Sequence, residues 1–69
     1  MSPDQIVLTK GTTGEKARQR RVASLLTRQQ VADLAGVPVE HVNLFERDLP
    51  VPLDSKRRIL KELWARRIS

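Results

Sequence analysis

Apolar residues recur at helical spacing along most of this chain, and the spacing is clearest between Leu26 and Glu46. There Val31, Ala32, Ala35, Val37, Val42 and Phe45 fall on the inner faces of two short helices joined at Gly36-Val37-Pro38. Thr27 with Gln30 has capping-box spacing and starts the first of the pair. Gly36 stands where a left-handed residue stops it. Pro38 suits the first turn of the next helix, which should run to about Arg47. Upstream, Thr12 with Glu15 repeats the capping-box spacing. A helix is expected from Thr12 or Thr13 to Leu26, with Ala17, Val22, Leu25 and Leu26 as its apolar surface. Downstream, Leu49-Pro-Val-Pro-Leu53 predicts an extended connector, because each proline biases its predecessor away from helix. Asp54 or Ser55 then caps a last helix striped by Ile59, Leu60, Leu63 and Trp64.

The expectation is an all-α fold: a compact domain of four helices over residues 13–69, preceded by a mobile arm over residues 1–12. Gln5 to Thr9 has a brief extended pattern, but an isolated strand has no partner. The predicted main core is Val31, Ala32, Ala35, Val42, Phe45, Leu60, Leu63 and Trp64. A chain of 69 residues without cysteine has neither disulfides nor a thiolate metal site to hold it, so it must rest on packing alone or on a partner subunit. No apolar run reaches the length of a membrane span, and no apolar signal segment opens the chain. A cytoplasmic protein is the expectation.

Two helices joined by a short turn containing Gly form a helix-turn-helix arrangement. Its second helix has a size that fits the DNA major groove. The formal charge is +5, with 13 Lys and Arg against 8 Asp and Glu, and such a basic domain favours a polyanion as partner. The charge is uneven. Residues 15–28 carry five cations against Glu15, and residues 55–69 carry six against Glu62. Residues 29–54 carry only Arg47 against Asp33, Glu40, Glu46, Asp48 and Asp54. By this reading the helix expected to read bases belongs to the acidic part of a basic protein.

The run Leu26-Thr27-x-x-x-Val31-Ala32-x-x-Ala35-Gly36-Val37, followed by Val42-x-x-Phe45-Glu46-Arg47 and Pro52, resembles the XRE family of helix-turn-helix regulators. That family includes the phage Cro and repressor DNA-binding domains, and the similarity covers roughly Lys16 to Trp64. The resemblance implies a sequence-specific duplex-DNA binder that regulates transcription, shortened here from five helices to four, and often dimeric on DNA. It also implies an ion pair between Arg21 in the first helix and Glu46 in the third. Base contacts fall on Val39, Glu40, Asn43 and Leu44, and a phosphate contact falls on Arg28, where the family usually has Gln. Of these, Asn43 can pair bidentately with adenine and Glu40 can accept from cytosine N4. Arg18, His41, Lys56, Arg57 and Arg58 are further candidates for phosphate contacts. Asp48 stands where the family usually has Gly.

Other chemistry is poorly supported. The lone His41 has no catalytic or metal-binding companions, and no pair of carboxylates is spaced for acid–base work. Gly11-Thr-Thr-Gly14-Glu-Lys16 lacks the spacing and preceding strand of a phosphate loop. No enzyme activity, cofactor or metal is expected. A membrane-surface role for Leu60, Leu63 and Trp64 would strip a small domain of its core. The rival reading is a protein-binding adaptor on the same scaffold, with base reading lost and Leu44 as an apolar anchor.

Overall fold

The computed structural model describes residues 12–66 as four α-helices: α1 (Thr13–Ala23), α2 (Arg28–Ala35), α3 (Val39–Glu46) and α4 (Leu53–Trp64). The all-α architecture is as the spacing predicted. The expected arm, apart from Thr12, and C-terminal residues 67–69 lie outside the described residues. Among the described residues no helix is long and apolar enough to cross a membrane.

Side chains and backbone near the helix ends explain where each helix starts and stops. At α2, Thr27 Oγ1 accepts from Gln30 N (3.1 Å) and Gln30 Oε1 accepts from Thr27 N (2.8 Å), closing the capping box. At α1, Thr12 Oγ1 accepts from Glu15 N. The Gly14 amide donates to Asp48 Oδ1 (3.1 Å), a carboxylate brought from beyond α3. Negative charge there also suits the helix dipole. Helices α1, α2 and α3 end in one hydrogen-bond pattern. Leu26 N bonds Arg21 O, Val37 N bonds Ala32 O, and Leu49 N bonds Leu44 O, each closing a six-residue ring around a left-handed residue. Those residues are Leu25 (φ 60°), Gly36 (φ 72°) and Asp48 (φ 59°).

Several boundaries differ from expectation. Helix α1 stops at Ala23 rather than Leu26, because Ser24 to Leu26 are used in closing its C-terminus. Its inward face is Gly14, Ala17 and Arg21, at spacings of three and four residues, so Val22 (51% exposed) and Leu25 (89%) point to solvent. Pro38 is the cap of α3 rather than its first helical residue, and Pro52 is the cap of α4. Neither Asp54 nor Ser55 caps α4. Asp54 pairs with Arg58 one turn on (3.0 Å), and Ser55 turns inward to His41.

The core is Ala17, Val31, Ala32, Ala35, Val42, Phe45, Ile59 and Leu63. Two expected members are displaced from it. The buried stripe of α4 is Ser55, Ile59 and Leu63, four residues apart. Leu60 is therefore at its edge, half-buried, and Trp64 is 41% exposed. Leu26, Val37, Val39, Val51 and Leu60 close the rim.

Phe45→Ala should cost about 3–5 kcal/mol, most of the stability of so small a domain, read from urea unfolding. Gly14→Ala should also destabilise, since a Cβ there would lie 2.5 Å from Phe45 O and 2.8 Å from Asp48 Oδ1. Leu25→Gly should do the opposite. It removes a left-handed penalty of roughly 1–2 kcal/mol and gives back part of it in chain entropy, so the melting temperature should rise.

Candidate nucleic-acid interface

The expected ion pair is present and larger than a pair. Arg21 projects inward from α1 and grips Glu46 side-on, with Nε to Oε2 at 2.6 Å and Nη2 to Oε1 at 3.3 Å. Both side chains are buried, at 10% and 3% exposure. Arg21 Nη1 donates in addition to Leu26 O (3.0 Å), the carbonyl just before the α2 cap. A third member was missed in the sequence. Arg28, at the first residue of α2, donates from Nε to Glu46 Oε1 at 3.1 Å. One buried carboxylate thus serves two guanidinium groups, and α1, α2 and α3 meet on it.

The other half of Arg28 faces outward. Its side chain is 47% exposed, and its Nη atoms have no hydrogen-bond partner among the described residues. Together with Asn43 and Arg47 it lines a shallow cavity of about 310 Å³ at the start of α2 and the end of α3. Arg47 is exposed and has no carboxylate partner among the described residues. The sequence reading gave Arg47 no role. Its place one residue past Glu46, on the α3 C-cap, was the available signal.

The four residues expected at base edges separate into two kinds. Glu40 and Asn43 are exposed on α3. Val39 is half-buried and packs against the core, so only part of it is free to touch anything else. Leu44 is half-buried rather than outward-facing, where the backbone turns back and Leu49 N bonds its carbonyl (2.9 Å). The expected phosphate contacts also divide. Arg18, Lys56 and Arg57 are exposed, and Arg58 is exposed but paired with Asp54. His41 is half-buried, with Nδ1 2.7 Å from the buried Ser55 Oγ, tying the first turn of α3 to that of α4.

The acidity of residues 29–54 changes meaning in three dimensions. Glu46 is buried between two arginines, Asp48 accepts from the α1 N-terminus, and Asp54 faces Arg58. Asp33 is on α2, where it accepts from Gln29 (2.9 Å). Glu40 is the one carboxylate left exposed on α3 among the described residues. A count along the chain groups charges that the fold separates. Compared with family models, with curated proteins and with solved structures, the chain finds no match.

The two contacts to Glu46 should differ in strength. Glu46→Gln leaves the buried Arg21 uncompensated and should cost about 3–5 kcal/mol. The coupling of Arg28 to Glu46, measured by a double-mutant cycle, should fall below about 1 kcal/mol, since water reaches half of that arginine. Equal coupling energies for the two arginines would contradict this account.

Proposed function

We propose that the protein binds duplex DNA with sequence preference and regulates transcription. In this reading α2 and α3 act as a helix-turn-helix of XRE type, and α3 enters the major groove. The observation that carries it is the cavity that Arg28, Asn43 and Arg47 line together. An amide able to read a base edge shares the cavity with Arg47 and with the unpaired outer nitrogens of Arg28, a combination suited to DNA. Arg18 on α1 and Lys56 and Arg57 on α4 are exposed and are further candidates for phosphate contacts. Glu40, the remaining exposed acid of α3, has the chemistry to accept from cytosine N4. The half-burial of Leu44 weakens the adaptor reading, which needs that side chain as an apolar anchor.

The test is a salt titration of binding to duplex DNA. Arg28→Ala and Arg47→Ala should each lower the slope of log affinity against log salt by roughly 0.9, with little change in base preference. Replacing Glu40 and Asn43 together with Ala should leave the slope in place and remove about 1–3 kcal/mol of discrimination per lost contact. Affinity independent of salt, or preference surviving the double change, would refute the assignment.

A further inference from the structure

Among the described residues the fold leaves an aromatic–cationic surface that neither the core nor the proposed DNA face uses. Lys16, Gln19, Arg20 and Ala23 recur every three or four residues on the side of α1 away from Gly14, Ala17 and Arg21. With Trp64 they line an open cleft of about 390 Å³. Trp64 lies nine residues beyond Ser55 on α4, or about 13 Å along the helix axis. The cleft is therefore at the opposite end of α4 from the contact with His41 on α3.

The chemistry of the cleft is specific. The Arg20 guanidinium stands 4.7 Å from the centre of the Trp64 ring, a cation–π contact. Its Nε donates to Leu63 O (3.4 Å). This orients the guanidinium and leaves its terminal nitrogens without a protein partner among the described residues. Neither Arg20 nor Lys16 has a carboxylate partner among the described residues. The nearby Glu15 is engaged by Gln19 Nε2 (3.4 Å). The cleft thus combines two uncompensated cations with an indole that is 41% exposed.

We infer that this cleft docks an acidic protein segment, with one carboxylate on the free end of Arg20, a second beside Lys16, and an apolar side chain against Trp64. The free guanidinium end matches a carboxylate through two parallel hydrogen bonds. A stacked nucleobase fits less well, because Arg20 already covers a face of the ring. A second copy of this chain docking face to face would set Lys16 and Arg20 against their own counterparts. The inference is independent of DNA binding by α3.

Trp64 is the one tryptophan of the chain, so its fluorescence reports this cleft alone. The probe is a blocked hexapeptide of two leucines flanked by aspartates, titrated into the full chain. A matched peptide with asparagines and a random-sequence duplex DNA serve as comparisons. The acidic peptide should shift Trp64 emission saturably and bind more weakly as salt rises. Arg20→Gln should weaken it by about tenfold or more, as loss of a charge-assisted contact implies. Lys16→Gln should weaken it less, and Arg20→Lys should restore only part of the Arg20→Gln loss. Because Arg20 also contacts Trp64 and Leu63 O, a cooperative urea unfolding transition in each variant will separate a lost site from a lost fold. Equal binding of the asparagine peptide, an Arg20→Gln affinity equal to the parent's, or a Trp64 response to DNA but not to the acidic peptide would overturn the inference.

Discussion

The carboxylate of Glu46 is the point on which the arrangement of the first three helices depends. It is buried beside a small apolar core and accepts from α1 through Arg21 and from α2 through Arg28. Arg21 also holds the carbonyl of Leu26, which fixes where the chain enters α2. A buried ion pair contributes little net stability compared with a well-packed apolar pair of the same volume. Its value here is positional: in the observed placement of α1 and α3 the buried guanidinium and the buried carboxylate satisfy each other. Because Arg28 belongs to the same cluster, a structural contact on its Nε sets the direction in which its outer nitrogens point. The cluster is therefore part of the proposed interface as well as of the core.

Much of the fold was legible in the sequence, for reasons that are local. The Thr27–Gln30 box, Gly36 and Pro38 act within a few residues, so the bounds of α2 and the start of α3 follow closely from them. The Arg21–Glu46 pair, 25 residues apart, came instead from the resemblance to a family pattern. What was not legible depends on angular detail. Whether Ile59 or Trp64 faces inward rests on about 100° of rotation per residue along α4, and aromatic size misleads where register decides. The end of α1 was missed because its left-handed stop is Leu25, a residue that gives no turn signal.

Charge was the other limit. Summed along the chain, residues 29–54 look hostile to a polyanion. Distributed over the fold, three of their five acids are committed to an arginine or a helix terminus, and a fourth is on α2. Asp48 shows why. The carboxylate that makes the segment acidic is the group that caps α1 and tolerates the left-handed backbone after α3. The candidate site was legible as residue types at Asn43 and Arg28. The role of Arg47 emerged only once the end of α3 was seen beside the start of α2.

The shared closure of α1, α2 and α3 bears on the order of assembly. Each reversal is sealed by hydrogen bonds spanning six residues, so it can form before any distant part of the chain arrives. Contacts of such short sequence separation carry a small loop-closure cost and favour rapid folding. The three seals are unequal, since Gly36 and Asp48 accept the left-handed backbone more readily than Leu25 does. The turn between α1 and α2 is the weakest of the three in isolation. It becomes secure when Glu46 arrives and Arg21 can bind the carboxylate and the Leu26 carbonyl together. Both groups that hold Arg21 lie C-terminal to α1, one at the entry to α2 and one at the end of α3, so the seat of α1 is complete only when both are in place.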